Sequence, residues 1–298
     1  MVSEELRRRI SLLQRAPAGP GRPAAARRAG ARQSRDLRER LGGGRAARTA
    51  RGKLFVWEES VGEIYSDGGR LLDDYLGVFE QASRLAERSA LPAFLEPLTC
   101  ADAGGAAFVD TETAGLHGRP LFLIGVLRHR GGDLRLTQYF ARSYAEEAAI
   151  LHKFAGVVRR LRLLITFNGK AFDWPFVRDR MVYHRLSCDP AFGHLDLLHP
   201  SRRRWRAHLP NCKLQTLERY LCGRWRSGDI AGEEIPQRYH DFVREQDARL
   251  IAPIFHHNRL DLITMVELLI ALVQGEEHTR HVPRLRPPAE RAKGARDV

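Results

Sequence analysis

Gly105-Ala-Ala-Phe-Val-Asp110-Thr-Glu112-Thr113 is the stretch on which the reading of this chain turns. The apolar run from Ala106 predicts a buried strand, opened by glycine and closed by polar residues. Asp110 and Glu112 are two apart. On a strand, period two puts both side chains on one face, with Cα atoms roughly 6.5–7 Å apart. Carboxylates reaching inward from one face can bracket divalent cations about 3.5–4 Å apart, as two-metal phosphoryl transfer requires. The same pair at an exposed strand end would simply stand in water, so the reading depends on what the rest of the chain adds.

Working outward, Leu121–Leu127 and Leu134–Phe140 read as two further strands joined by a Gly131-Gly132-Asp133 hairpin turn. Ser143-Tyr-Ala-Glu146 has the spacing of a capping box for a helix running to about Arg160. Leu161–Phe167 reads as a strand and Ala171–Tyr183 as a helix with Pro175 in its first turn. Asn258 reads as the N-cap of a final apolar helix to about Val273. Upstream, residues 54–62 could form a strand and 70–95 a helix. Three antiparallel strands, a helix, a strand and more helices make a mixed α/β domain.

Two more segments bring acids to this framework. In Ile165-Thr-Phe-Asn168-Gly-Lys170-Ala-Phe-Asp173, a strand delivers Asn168 to a glycine turn and Asp173 to a helix start, with Lys170 available for phosphate. In His256-His257-Asn258-Arg259-Leu260-Asp261, a carboxylate stands near two imidazoles, a pairing suited to one metal ligand and one general base. On a continuous helix His257 would lie one turn before Asp261 and His256 would point away; if Asn258 is the cap, both histidines precede the helix in a loop.

The order Asp-x-Glu, Asn…Phe-Asp, His…Asp over roughly residues 105–275 resembles the DEDD exonuclease superfamily, the DnaQ-like branch of the ribonuclease-H-like fold. Four segments between the second and third motifs are similar to the YprB-like ribonuclease-H-like family: His194-Leu-Asp196-Leu-Leu-His199, Arg203-Arg204-Trp205, Cys212-Lys-Leu214-Gln-Thr-Leu217-Glu218, and Asp229-Ile-Ala-Gly232-Glu-Glu-Ile235-Pro236 followed by Tyr239. The resemblance implies a ribonuclease-H-like mixed sheet, three antiparallel strands then parallel ones, flanked by helices. It implies that Asp110, Glu112, Asp173 and Asp261 bind two Mg²⁺ or Mn²⁺ ions and that a histidine accepts the proton of the attacking water. The histidine form of the superfamily sets that base five residues before the last Asp, at His256; the tyrosine form sets it four before, at His257. Thr111, Thr113, Asn168, Lys170 and Arg204 are the candidate substrate contacts. The implied activity is 3′–5′ exonuclease action on single-stranded DNA or RNA ends. The alternatives are a nucleic-acid-binding module without turnover and a metal-dependent endonuclease. In the run Arg202-Arg203-Arg204-Trp205-Arg206, the arginines could hold phosphates and the tryptophan could stack a base or be partly structural.

Composition frames these motifs. The net charge of +13 suggests an anionic partner, but it sits in the tails. Residues 1–53 carry 15 Lys and Arg against 4 Asp and Glu, and residues 280–298 carry 6 against 2, which leaves residues 54–279 nearly neutral. The expected organisation is a basic, largely disordered arm over 1–53 with a short helix on Leu6, Ile10 and Leu13, a strand and helix extension over 54–100, the nuclease-like domain over 101–277, and a basic disordered tail over 278–298. Cys100, Cys188, Cys212 and Cys222 form no Cys-x-x-Cys pair, and their spacing with His208 matches no zinc-finger pattern. The apolar run Leu262–Val273 is broken by Glu267 and too short to span a bilayer. Reduced thiols and the lack of an apolar leader favour a cytoplasmic protein with nucleic acid as partner and no membrane.

Overall fold

Apolar runs and two positive-φ glycines build the centre of the sheet. In the computed structural model, which describes residues 36–274 except 66, 116–117, 188–190 and 227, strands β3 (Ala106–Thr113), β4 (Leu121–Arg130) and β5 (Asp133–Phe140) form an antiparallel meander. Gly131 and Gly132 take φ of 63° and 77°, the left-handed pair that a two-residue hairpin turn requires. Strands β6 (Leu163–Thr166) and β7 (Gly193–Asp196) then add in parallel beside β3, while β1 (Arg45–Thr49) and β2 (Gly52–Ser60) extend the other edge. The result is one seven-stranded sheet in the order β1-β2-β5-β4-β3-β6-β7. This is the expected mixed sheet, widened by three strands.

Of those three, β2 was anticipated, whereas β7 carries too short an apolar run to stand out. β1 corrects the assignment of residues 45–49 to a disordered arm. Its Arg45-Ala-Ala-Arg-Thr composition looks solvated because an edge strand keeps its charged side chains in water, where they also discourage pairing with another chain. The Leu6–Leu13 helix and the C-terminal tail lie outside the described residues.

Helices α1 (Gly68–Glu87) and α7 (Ala252–Gln274) pack together, and α7 lies on β3 and β4. Helix α2 (Glu147–Val158) packs on β2, β4 and β5, and helix α6 (Ile235–Glu245) reaches β3. Leu121–Leu127 of β4 are buried without alternation, as a strand covered on both faces must be. Residues 54–100 are part of this core: β2 pairs with β5, and Tyr75 of α1 donates from its hydroxyl to the Ala103 carbonyl at 2.8 Å. Buried Glu147 ties three elements. It accepts from the Leu121 N–H at 2.8 Å and from Arg180 Nε at 2.6 Å, and it meets His184 Nε2 at 2.7 Å. Burial pushes its carboxyl up, but these donors outweigh burial and hold it below the usual range.

Two cap assignments change. Ser143 makes no capping hydrogen bond; Glu146 turns instead to Arg142, accepting from its backbone N–H at 3.0 Å and its Nε at 2.9 Å, because a charge-assisted pair with a guanidinium outcompetes the Ser143 backbone N–H that a capping box would offer. A complete capping box forms at Ser60 and Glu63, ahead of the short helix Val61–Ile64. Asn258 is no cap: α7 begins at Ala252, and Asn258 sits buried in its second turn.

Candidate functional site

The site is built on a cross-strand row. Asp110 on β3 stands opposite Gly125 on β4, and Gly125 opposite Gln138 on β5. Above this row lies Asn258 of α7. Its Nδ2 donates to Asp110 Oδ2 at 2.7 Å and to the Asp110 carbonyl at 3.2 Å, and its Oδ1 accepts from Gln138 Nε2 at 2.8 Å. Gly125 is the residue that lets the amide descend this far, since a Cβ there would overlap the Asn258 side chain. The polar row under α7 thus fixes the first carboxylate. Residue-type spacing along the chain could not reveal Gly125 or Gln138, because their role exists only across strands.

Glu112 follows Asp110 on the same face. Thr111, between them, points the other way by the pleat, and its hydroxyl donates to Asp173 Oδ1 at 2.6 Å. Asp173 is the first residue of helix α3 (Asp173–Tyr183). The segment ahead of it is shaped by Asp196 at the end of β7, whose carboxylate accepts from the N–H groups of Asn168 at 2.7 Å and Lys170 at 3.0 Å. Asn168 adopts φ 65°, and Gly169 packs so tightly on Thr166 that a Cβ would clash. A buried aspartate therefore organises the turn that carries the second acidic motif. Beside it, burial and then Lys170 lower His194 to about 4, so this ring is neutral near pH 7; its Nε2 lies 2.9 Å from the Thr166 hydroxyl.

The third motif lies wholly on α7. His257 and Asp261 face each other one turn apart, with Nε2 3.3 Å from Oδ2. The other ring nitrogen of His257 is 3.0 Å from both oxygens of Asp229. Arg226 closes the cluster by donating to Asp261 Oδ1 at 2.5 Å, to Asp229 Oδ2 at 3.0 Å and to Glu218. His256 is exposed, and partial burial followed by the nearby Arg259 lowers its proton affinity.

These acids feel one another. Burial raises Asp110 well above the usual carboxylate range, and the charges of Asp261, Glu112 and Asp173 raise it further. Burial, Asp261, Asp173 and Asp229 do the same to Glu112. Burial carries Asp173 to about 6, against the hydrogen bond from Thr111. Strand β3, the start of α3 and helix α7 thus bring Asp110, Glu112, Asp173 and Asp261 into one electrostatic neighbourhood. Beside it opens a cavity of about 400 Å³ lined by Asp110, Thr111, Thr113, Phe172, Asp173 and Phe176, among others.

The candidate substrate contacts divide. Thr111 and Thr113 line the cavity; Thr113 also donates to the Gly115 carbonyl at 3.0 Å. Lys170 is exposed next to the Asn168 turn. Arg204 is exposed on α4 (Leu198–Trp205), with its guanidinium 5.9 Å from the Trp205 ring centre. Trp205 itself is fully buried, so it anchors that helix and offers no face to a base.

Among the described residues no three carboxylate, imidazole or thiol side chains stand gathered in a metal-coordinating arrangement. Asp110 is engaged by Asn258, Asp173 by Thr111, and Asp261 by Arg226 and His257. The donor set nonetheless suits a hard divalent cation, because clustered carboxylates that repel one another are what such an ion neutralises.

A curated relative, an uncharacterized protein YprB of Bacillus subtilis (strain 168), is 34% identical over 182 residues, which cover 59% of this chain and 44% of the relative. The chain therefore spans less than half the length of that relative. Among solved structures, the family B DNA polymerase of the hyperthermophilic archaeon Pyrobaculum calidifontis superposes with a TM-score of 0.46 at 13% identity, over 55% of this chain and 24% of the polymerase. The RNase H superfamily model matches residues 107–273, which run from the start of β3 almost to the end of α7 and take in all four acids. With more than half its length in that match, the chain belongs to the RNase H superfamily.

Proposed function

We propose that this chain is a metal-dependent 3′–5′ exonuclease acting on single-stranded ends of DNA or RNA. The observation that carries the reading is the convergence of four acids from three separated segments: Asp110 and Glu112 on β3, Asp173 held by the Thr111 hydroxyl at 2.6 Å, and Asp261 on the helix whose Asn258 holds Asp110 at 2.7 Å. Acids that repel one another do not favour stability; the arrangement gains its purpose from a cation.

Asp110, Glu112, Asp173 and Asp261 would hold two Mg²⁺ or Mn²⁺ ions, which supply an activated water and charge stabilisation at the leaving 3′-oxygen. The chain's own groups then orient these ligands. Asn258 fixes one oxygen of Asp110, Thr111 one of Asp173 and Arg226 one of Asp261. His257 is the histidine that faces the acids: α7 runs unbroken through both, which sets His257 one turn before Asp261 with Nε2 3.3 Å from Oδ2, whereas His256 projects to solvent. Thr111 and Thr113 border the cavity where the terminal nucleotide would lie, and Lys170 offers a cation to a phosphate.

The test is a 5′-labelled single-stranded oligonucleotide, DNA and RNA in parallel, incubated with the full chain and Mn²⁺. A ladder that shortens stepwise from the 3′ end and stops on addition of EDTA is the expected result. Cleavage of a circular single strand would instead identify an endonuclease, and binding to either polymer without any product would reduce the protein to a binding module.

A further inference from the structure

We propose that Trp225, backed by Arg219, is a stacking platform for an unpaired nucleobase of the substrate strand. Trp225 is 67% exposed, although it is the largest kind of side chain and most folds bury it. Its exposure is enforced by its neighbours. Arg224 turns inward to Glu218 at 2.9 Å, Glu267 at 2.6 Å, the Tyr65 hydroxyl at 3.2 Å and the Thr264 hydroxyl at 3.2 Å. Arg226 turns inward to Glu218, Asp229 and Asp261. One fully buried carboxylate, Glu218, thus accepts from the arginines on both sides of Trp225, pinning the backbone at each flank.

Arg219, on helix α5 (Leu214–Leu221), covers one face of the indole, with its guanidinium carbon 3.4 Å from the ring centre. At 67% exposure the opposite face is open to solvent. A cation stacked beneath an aromatic ring holds it flat and adds positive charge next to whatever lands on top. The surroundings fit a nucleobase better than a protein. A protein-docking patch has an apolar core, whereas this ring rests on a guanidinium and no other large apolar side chain is exposed among the described residues from 184 to 274. The platform's backbone adjoins the site, because the residue after Trp225 is the arginine that holds Asp261 and consecutive Cα atoms are about 3.8 Å apart.

The occupant's class rests on the nuclease reading above, so the test measures binding without cleavage. The full chain carrying Glu112→Gln is titrated in EDTA with a labelled oligothymidylate and, separately, with an abasic sugar-phosphate strand of equal length. Adding Trp225→Ala is expected to weaken oligothymidylate binding about tenfold, one stacked base by the usual measure. Trp225→Phe should restore most of that loss. Affinity for the abasic strand should be unchanged by either substitution. Arg219→Gln should weaken both strands, since it removes a charge, and the base-bearing strand more. Equal affinity of parent and Trp225→Ala for oligothymidylate would overturn the proposal and leave the ring to a protein partner. Equal losses on both strands would also overturn it, as would the absence of any binding by the parent. Base-dependent loss, together with no cleavage by the unsubstituted chain in Mn²⁺, would retain the platform and refute only the exonuclease.

Discussion

Asp110→Asn is expected to remove Mn²⁺-dependent cleavage, by on the order of 10³-fold, while raising the melting temperature in EDTA. The two effects share one cause. Asparagine keeps an oxygen to accept from Asn258 Nδ2, so the row beneath α7 survives. What is lost is a charge that burial and three neighbouring carboxylates make costly to hold. Because Asp110 is only half-buried, water screens part of that cost. A gain of about 1 kcal/mol is reasonable, worth roughly 2–4 °C in a domain of this size.

The pH dependence follows from the same shifts. A carboxyl whose folded pKa is raised keeps its proton in the folded chain at pH values where the unfolded chain has released it. Its contribution to stability is therefore present below the ordinary carboxylate range and lost as pH rises through the folded value. For Asp173 that window runs from the ordinary 3.8 to about 6, and Asp110 and Glu112 are raised well above their ordinary values as well. In EDTA the advantage of Asp110→Asn over the parent should widen as pH rises from about 4 past 6. Mn²⁺ should reverse the order, stabilising the parent by binding only its folded form. Thermal melts across pH, with EDTA and with Mn²⁺, measure all three. Identical melting of parent and variant in EDTA at every pH would show that these acids do not strain one another.

Gly125→Ala should damage the site without touching an acid. The new Cβ would overlap the Asn258 side chain and come within 2.8 Å of Leu262 Cδ1, both on α7. Neither neighbour can retreat easily. Asn258 is fully buried and bonded on both sides, to Asp110 and Gln138, and Leu262 is in the core. Overpacking of this kind costs about 1–3 kcal/mol. Lifting α7 also withdraws the donor from Asp110 and shifts Asp261 and His257, which the same helix carries. Misplacement of a reacting geometry by 1 Å can cost about 10²-fold in rate, and a drop of that order in cleavage is expected. Gly69→Ala is the control: it lies in helix α1 with nothing within 4 Å of a new Cβ, and it should leave activity unchanged and stability equal or higher. Full cleavage by Gly125→Ala with parental melting would mean that Asn258 is not seated over this glycine.

Local pattern was enough to read the core of the domain. The strands of the meander, the glycine hairpin and the strand-to-helix turn at Asn168 are written in alternation, apolar runs and turn residues, which act between neighbours in sequence. The acids were singled out by local spacing and turn placement and joined into one candidate set by the order that resembles a known superfamily. The third motif was misread at its start for the same reason. His256-His257-Asn258-Arg259 breaks the apolar pattern and looks like a loop behind a cap, yet α7 runs through it. Those polar groups are tolerated in a helix only because distant partners meet them. Asp229 meets His257, Asp110 and Gln138 meet Asn258, and the Trp57 ring lies 4.8 Å from the Arg259 guanidinium.

What the sequence determined by itself is therefore the elements and the acids they carry. Only the tertiary structure decided which groups stand over those acids: Asn258 on Asp110 across Gly125, Asp196 beneath the Asn168 turn, Arg226 and Asp229 around Asp261 and His257. Such neighbours lie across strands or dozens of residues apart in the chain, and no periodicity encodes a contact that the folded sheet alone brings within hydrogen-bond reach.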